Sequence, residues 1–281
     1  MELTHFSLCS GIGGLDLAAE WAGFRTIGQC EIDEYASKVL EKNFKGVHNF
    51  GDIRTITAES VGRYGINAGE ITVISAGIPC QPYSLAGKGL GDLDERDLEQ
   101  EYMRVVGELK PRWAVIENTP GLFSRKNQRY FHRILDDFSA LGYSVAWGMW
   151  GAVDVGAPHK RERVFIIAQS DSERRDCLCK DFKERRSGMY LQATSSEEPW
   201  EKVRTYEEID GVFGILGDTP EPYMRFARDD NGISTGMDRL RGIGNSVVPY
   251  QAYPIFEVIA ELEEEGELNE SSFNINTTEM V

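Results

Sequence analysis

An apolar run that empties into a loop bounded by two prolines constrains the fold of this chain more than any other feature. Residues 71–76 read Ile-Thr-Val-Ile-Ser-Ala, which predicts a buried β-strand, and Gly-Ile-Pro-Cys-Gln-Pro follows directly. The prolines fix φ on either side of Cys80 and remove two backbone donors, so the loop cannot join a sheet. A lone cysteine is most often a small buried apolar residue. In this frame, at the sheet edge where α/β proteins bind ligands, we interpret Cys80 as a nucleophile.

Further apolar segments repeat this organisation along the chain. Additional strands are predicted at residues 4–9, 26–30, 113–116, 144–150 and 164–168. Helices are predicted at residues 15–22, 94–111, 128–141 and 250–262. This alternation predicts an α/β fold with a mostly parallel, doubly wound sheet that carries helices on both faces.

The ends of the first strands carry groups suited to a nucleotide cofactor. A Gly-rich turn, residues 10–14, lets the backbone approach a ligand closely and directs helix N–H groups at it. Glu31, seventeen residues past Gly14, ends the second strand and could accept both hydroxyls of a ribose. Asp52 is a further carboxylate at this edge, suited to an adenine amino group. Taken alone, these features would equally suit a nicotinamide dinucleotide.

Charged residues flank two later strands. Glu117 follows the strand at 113–116 and precedes a Pro-Gly turn, so another carboxylate lies at the sheet edge. Arg161 and Arg163 alternate with Glu162 before the strand at 164–168, so both arginines point to one face. A solvated surface is the usual explanation of a charge run, but a buried strand follows this one directly. The planar arginine donors suit a phosphate or a pyrimidine carbonyl.

Composition bounds the compartment and the partners. The net charge of −16 opposes a nucleic-acid partner at first sight. Much of this charge lies at the C-terminus, because eight glutamates and no Lys, Arg or Asp occur from residue 257 onward. Local basic clusters therefore say more about nucleic-acid binding than the net charge does. We expect a cytoplasmic protein that does not bind a membrane. The sequence has no apolar run of membrane-spanning length and no signal peptide before Leu3, and its five cysteines form no regular framework. Cys177 and Cys179 have no second pair nearby, so no metal is predicted.

Several of these segments resemble, in order, the motifs of the DNA cytosine-5-methyltransferases. They are the loop 77–89, the Glu-Asn-x-Pro-Gly segment 117–121, the Arg-x-Arg segment 161–163 and Arg-Leu-Arg-Gly-Ile-Gly-Asn-Ser-Val-Val-Pro at 239–249. The resemblance implies a class-I S-adenosylmethionine-dependent methyltransferase fold with a small target-recognition domain. It divides the chain into a catalytic and cofactor-binding domain (1–168), a target-recognition region (169–238), a return to the catalytic domain (239–265) and an acidic, disordered tail (266–281).

The same resemblance assigns the cofactor site. S-adenosylmethionine would lie against the Gly-rich turn, with its ribose on Glu31 and its adenine against Ile32 and Asp52. The family commonly has Asp-Leu-Phe where this chain has Ser-Leu-Cys at residues 7–9, so an aromatic contact to the cofactor is absent. The residues assigned to the cofactor are Cys9, Ser10, Gly11, Ile12, Gly13, Gly14, Glu31, Ile32, Asp52, Ile53, Pro79, Asn245 and Val247.

The chemistry implied by the resemblance uses four side chains. Cys80 attacks carbon 6 of a flipped-out cytosine, and a protonated Glu117 donates to N3 of the ring. Arg163 holds the carbonyl oxygen at carbon 2, and Arg161 a flanking phosphate. Double-stranded DNA is the expected partner of a monomeric protein, with a cognate restriction endonuclease left open as a second partner. The DNA-contacting residues are expected to be Gln81, Ser84, Asn118, Arg174, Arg175, Arg185 and Arg186.

Three other functions fit parts of the sequence. An RNA (tRNA) cytosine-5-methyltransferase of the same fold usually has Lys in place of Pro120 and lacks a recognition region of this length. A catalytically decayed DNA-binding regulator would have lost Cys80, Glu117 or the Gly-rich turn. A nicotinamide oxidoreductase would explain the first fifty residues but not the loop around Cys80.

Overall fold

The computed structural model describes residues 2–78, 98–124, 127–156, 160–170, 192–194 and 246–278. The strands in these ranges are β1 (Thr4–Leu8), β2 (Arg25–Cys30), β3 (Val73–Gly77), β4 (Trp113–Asn118), β5 (Ser144–Trp150), β6 (Arg163–Gln169) and β7 (Gln192–Thr194). The helices are α1 (Gly14–Trp21), α2 (Glu34–Asn43), α3 (Ala58–Gly62), α4 (Glu99–Leu109), α5 (Gln128–Ala140) and α6 (Pro249–Thr278). Short 3₁₀ turns lie at Ile53–Thr55, Pro120–Phe123 and Ala152–Val155.

The strands of these ranges form one sheet in the order β2-β1-β3-β4-β6-β5-β7. The first four strands pair in parallel, whereas β6 pairs antiparallel with both β4 and β5, and β7 pairs antiparallel with β5. Strands β1 to β5 therefore run in one direction, and their carboxyl ends meet at one edge. The mostly parallel sheet predicted from the sequence is confirmed.

Helices cover both faces of the sheet. On β3, Ile74 and Ala76 pack into the core under α4 and α5, whereas Val73 packs on the opposite side with α1 and α6. The period of two along buried strands assigns successive side chains to opposite cores. Strands buried on both faces read as continuous apolar runs, which is why the sequence signalled them clearly. The doubly wound arrangement is confirmed.

Two regions differ from the predicted organisation or add to it. Helix α6 continues to Thr278, where the sequence predicts a disordered tail from residue 266. The glutamates of this segment are good helix formers, so the acidic composition is compatible with a helix. Strand β7 lies inside the predicted recognition region 169–238 and joins the main sheet through β5. No helix in the described ranges has a stretch long and apolar enough to cross a membrane.

A buried polar network fastens α1 to the sheet beneath the Gly-rich turn. The Asp16 carboxyl is fully buried, and it accepts from Ser7 Oγ of β1 at 3.0 Å and from Gln29 Nε2 of β2 at 2.9 Å. Burial raises the pKa of Asp16 to about 7, although both hydrogen bonds oppose the shift. Desolvation of the charged form therefore outweighs these two donors. The carboxyl crosslinks three elements at the point where the chain enters the turn.

We expect Asp16→Asn to change the pH dependence of stability. Because the folded pKa of Asp16 is raised, the native state binds more protons than the unfolded chain between about pH 4 and pH 7. Wild-type stability should therefore fall as pH rises through this window and level off above it. The difference from the variant should approach, at most, on the order of 4 kcal/mol.

Urea denaturation at a series of pH values measures this difference. Glu41→Gln, which removes an exposed carboxylate from α2, is the matched control. Parallel stability profiles for wild type and Asp16→Asn between pH 4 and pH 7 would contradict the assignment.

Candidate functional site

The Gly-rich turn connects β1 to α1 through left-handed backbone. Cys9 has φ +49° and Gly13 φ +88°, so β1 ends at Leu8 and the chain reverses. A Cβ on Gly13 would lie 2.3 Å from Phe44 Cε2, and one on Gly14 would lie 2.4 Å from the Val247 carbonyl oxygen. Only glycine fits at these two positions. The approach of Gly14 to Val247 places the C-terminal motif against the turn.

Glu31 is oriented by backbone donors on both sides. Its carboxylate accepts from the Gly11 N–H at 2.7 Å and from the Asp33 N–H at 2.7 Å. The first donor belongs to the Gly-rich turn and the second to the N-cap of α2. Each carboxylate oxygen has more than one acceptor site, so both retain capacity for a ligand hydroxyl. The side chain is half-buried and held in one direction.

Ile32 and Asp52 extend the same edge, whereas Ile53 turns away from it. The Ile32 side chain is 73% exposed, unusual for a large apolar residue beside a carboxylate. Asp52 is half-buried and caps the 3₁₀ turn that follows it by accepting from the Arg54 N–H at 3.0 Å. Ile53 is buried in the core with Ile56, so its side chain does not face a ligand beside Ile32.

Cys9, directly before the Gly-rich turn, carries a neutral thiol. Burial raises the pKa of Cys9, and the neighbouring Cys30, Glu31 and Asp52 raise it further. Cys9 therefore lacks the thiolate character that a nucleophile needs.

Glu117 lies near the end of β4 in a largely apolar setting. It pairs in register with Gly77 of β3 and is 7% exposed. Arg163, the first residue of β6, forms an ion pair with it, with Nε 2.7 Å from Glu117 Oε1. Burial raises the pKa of Glu117, and the nearby Arg163 and Arg161 partly oppose this shift. The strand ends thus hold a carboxyl group that resists ionisation beside two cations.

Arg161 is held against the C-terminal segment. Its guanidinium donates to the Ser246 carbonyl, and its backbone has φ +29°, which is rare for a residue with a side chain. Like Arg163, Arg161 opposes the raised pKa of Glu117, so its charge acts on the pocket of that carboxyl. The contact with Ser246 favours a role inside this pocket over the expected contact with a flanking phosphate.

Gln251 supports Arg161, and sequence reasoning missed it. This fully buried side chain of α6 donates through Nε2 to the Arg161 carbonyl at 2.9 Å and the Trp150 carbonyl at 3.1 Å. Trp150 Nε1 donates in return to the Gln251 carbonyl at 2.9 Å. The available signal was a polar residue among apolar ones in the predicted helix 250–262. Such a glutamine is buried only when it has partners.

Ser10 is buried and donates through Oγ to the Ser7 carbonyl at 3.2 Å, and Ile12 is half-buried in the Gly-rich turn. The other predicted site residues are Asn118 and a group that the structure does not describe. Asn118 is 1% exposed and accepts from the Thr119 N–H at 2.8 Å, and its contact with DNA or a flipped base stays a prediction. Those outside the described residues are Pro79, Cys80, Gln81, Ser84, Arg174, Arg175, Cys177, Cys179, Arg185, Arg186 and Asn245.

Comparisons with known proteins agree on one family. The family model "C-5 cytosine-specific DNA methylase" matches residues 3–229. The Type II methyltransferase M.NgoMIV of Neisseria gonorrhoeae is 36% identical over 169 residues, which are 60% of this chain and 52% of the relative. M.HaeII of Haemophilus aegyptius is 36% identical over 171 residues, covering 60% of this chain and 51% of the relative. The chain spans about half the length of these curated relatives.

A solved structure shows the same fold. The Entamoeba histolytica methyltransferase EhMeth superposes with a TM-score of 0.61 at 17% sequence identity, and the match covers 93% of this chain and 98% of that one. The family model covers most of the 281 residues, including the Gly-rich turn, Glu117 and both arginines. The chain belongs to the C-5 cytosine-specific DNA methylase family.

Proposed function

We propose that this chain transfers a methyl group from S-adenosylmethionine to carbon 5 of cytosine in double-stranded DNA. The observation that carries the proposal is a meeting point at the end of β3. A Cβ built on Gly77 would lie 3.6 Å from Glu117 Oε2, 3.7 Å from the Cys9 carbonyl oxygen and 3.9 Å from Val247 Cγ2. The Gly-rich turn and Glu117 thus meet at Gly77, and Cys80 follows three residues after Gly77 in the sequence.

The residues around the turn suit S-adenosylmethionine. Glu31 presents two oriented oxygens to a ribose, and the exposed Ile32 offers an apolar surface to an adenine. A Cβ on Gly11 would meet nothing within 4 Å, so the space above the turn is open. When bound, this cofactor supplies a methyl group on a positively charged sulfur. The protein's own residues must then make carbon 5 of the base a nucleophile.

Cys80 and Glu117 divide that task. The Cys80 thiolate forms a bond to carbon 6, and the displaced electron pair makes carbon 5 electron-rich while N3 takes the proton of Glu117. Burial raises the pKa of Glu117, which favours the protonated carboxyl that this donation needs. After carbon 5 accepts the methyl group, its own proton leaves to water, N3 returns its proton to Glu117, and the bond from sulfur to carbon 6 breaks. These steps release 5-methylcytosine and free Cys80.

The two arginines and the buried position of Glu117 determine how the base is held. Arg163 keeps donors beyond the Nε that pairs with Glu117, and we assign these to the carbonyl oxygen at carbon 2 of the base. We assign Arg161 to the electrostatic field at Glu117 and not to a flanking phosphate. Because Glu117 is 7% exposed, a cytosine reaches it only after leaving the duplex stack, at a cost on the order of a few kcal/mol.

The target sequence would be read by region 169–238. Base contacts specify a sequence, whereas phosphate contacts position the protein. We assign the phosphate contacts to the basic clusters at Arg174-Arg175 and Arg185-Arg186. The relatives are named Type II methyltransferases, which supports a short DNA target and a cognate endonuclease as a partner.

Replacing the nucleophile tests the proposal directly. Cys80→Ser should abolish methyl transfer, because a serine hydroxyl is far less ionised than a thiol at neutral pH. Duplex DNA with 5-fluorocytosine at the target should trap a covalent adduct with wild type and none with the variant. Cys177→Ser is the control and should still trap the adduct. An adduct formed by Cys80→Ser would refute the assignment, and methylation of tRNA instead of DNA by wild type would refute the substrate.

The acid is tested by the pH dependence of single-turnover methylation. The rate should rise with pH as Cys80 ionises and fall at higher pH as Glu117 loses its proton. Glu117→Gln should lower the rate by roughly 10² to 10⁴ and remove the fall that Glu117 causes at high pH. An unchanged rate and profile would mean that Glu117 only balances the charge of Arg163.

The ribose carboxylate is tested by calorimetry with S-adenosylmethionine. Glu31→Ala removes a charged acceptor, and hydrogen bonds to charged groups contribute about 1.5–3 kcal/mol each. The dissociation constant should therefore rise by at least about tenfold. Glu34→Ala, an exposed carboxylate at the start of α2, should bind as wild type does. Equal affinities for the two variants would place the cofactor elsewhere.

A further inference from the structure

We propose that Asn49 is a positioning residue that sets the separation between the two carboxylates of the cofactor site. This inference rests on the function proposed above, because it assigns to Glu31 and Asp52 a shared ligand. Asn49 lies outside the motifs that carry the resemblance, in the connection between α2 and Asp52. It touches both segments that end in a carboxylate.

The backbone places Asn49 beside the edge strand of the sheet. Residues 48–50 run parallel to the end of β2, with a bridge between Gln29 and Asn49. The Gln29 N–H donates to the His48 carbonyl at 2.9 Å, and the Phe50 N–H donates to the Gln29 carbonyl at 2.7 Å. This short pairing extends the sheet by one bridge just before β2 ends at Cys30. Beyond Cys30, the Asn49 side chain makes the hydrogen bonds to the backbone of Glu31 that a neighbouring strand would otherwise make.

The Asn49 carboxamide makes four hydrogen bonds. Its Oδ1 accepts from the Glu31 N–H at 2.9 Å and from the Gly51 N–H at 3.0 Å. Its Nδ2 donates to the Glu31 carbonyl at 3.1 Å and to Ser37 Oγ at 3.0 Å. A primary amide has two acceptor sites and two N–H donors, so its capacity is filled. Asn49 therefore holds protein groups and has no hydrogen bond left for a ligand.

One oxygen atom joins the two halves of the cofactor site. Oδ1 of Asn49 binds the backbone of Glu31 and that of Gly51, the residue before Asp52. The Glu31 carboxylate is in turn fixed by Gly11 and Asp33, so the residue is held at its backbone and at its tip. Gly51 has φ +74°, a conformation that places Asp52 and is stabilised by this contact.

A ligand that spans Glu31 and Asp52 benefits from a fixed distance between them. If the two segments move independently, binding must order them, and affinity falls by that ordering cost. Asn49 removes this cost before the ligand arrives. Its loss should therefore weaken binding of the cofactor and leave the chemistry of the bound complex unchanged.

The experiment compares three variants for binding of S-adenosylhomocysteine, the product that the cofactor becomes after methyl transfer, by calorimetry. Asn49→Ala should raise the dissociation constant by about tenfold. Asn49→Asp keeps the bridging oxygen but loses both donors, so it should bind more tightly than Asn49→Ala. Ser37→Ala removes one partner of Nδ2 and a hydrogen bond of 3.1 Å to the Glu31 carbonyl but leaves both bonds of Oδ1 in place, so it should weaken binding less than Asn49→Ala does.

Two readouts separate positioning from a general loss of stability. Asn49→Ala should raise KM for S-adenosylmethionine in methylation of unmethylated genomic DNA while kcat stays at the wild-type value. In a double-mutant cycle with Glu31→Ala, the two losses of affinity should not add, because both act through one carboxylate.

The outcomes distinguish this inference from the proposed function. Wild-type affinity for Asn49→Ala, or a loss that adds fully to that of Glu31→Ala, would overturn the inference alone. No binding of S-adenosylhomocysteine by wild type would overturn the proposed function and the inference with it. If Asn49→Ala fails to fold, Asn49→Asp carries the test, and a loss of affinity in that variant that adds fully to the loss in Glu31→Ala would overturn the inference.

Discussion

The close approach of Gly14 to the Val247 carbonyl is the contact on which both halves of the site depend. A Cβ at residue 14 would stand 2.4 Å from that oxygen, so any other residue would push the C-terminal segment away from the Gly-rich turn. The same segment supplies the Ser246 carbonyl to Arg161, and Gln251 to the backbone of Arg161. Displacing it would therefore disturb the cofactor turn and the pocket of Glu117 together. The segment at residues 246–251, more than two hundred residues away in sequence, thus contacts both the Gly-rich turn and Arg161.

Charge is distributed unevenly across this junction. On the turn side lie the carboxylates of Glu31 and Asp52, oriented by backbone N–H groups. On the other side, Glu117 is surrounded by apolar strands and approached by Arg163 and Arg161. The arginines favour its ionised form and burial its neutral form, and burial is the larger effect. A flipped base that competes for Arg163 would weaken the ion pair and raise the pKa of Glu117 further, which favours proton donation at the moment it is needed.

Local pattern was sufficient for part of this structure. The buried strands, the Gly-rich turn, Glu31 and Glu117 are each visible within a dozen residues, because each follows an apolar run at one sheet edge. Asn49 and Gln251 were not predicted, since their roles come from partners in segments that only the fold brings together. Ile53 was assigned to the ligand, but burial against the core cannot be read from an apolar residue after Asp52. The alternation of Arg161 with Arg163 predicts a shared face, whereas the contact of Arg161 with the Ser246 carbonyl depends on a segment that only the fold brings near.

The thiol of Cys9 illustrates how the same carboxylates protect the proposed chemistry. A bound S-adenosylmethionine would place an electrophilic methyl group near the Gly-rich turn, where this chain has cysteine in place of the phenylalanine common in its family. A thiolate there would compete with the base for that methyl group. Burial, Cys30, Glu31 and Asp52 all raise the pKa of Cys9, and burial raises that of Cys30 to about 12. Both thiols therefore stay protonated at neutral pH and are poor nucleophiles. In the proposed function, burial and, to a smaller extent, these carboxylates would keep the Cys9 thiol from competing with the base for the methyl group.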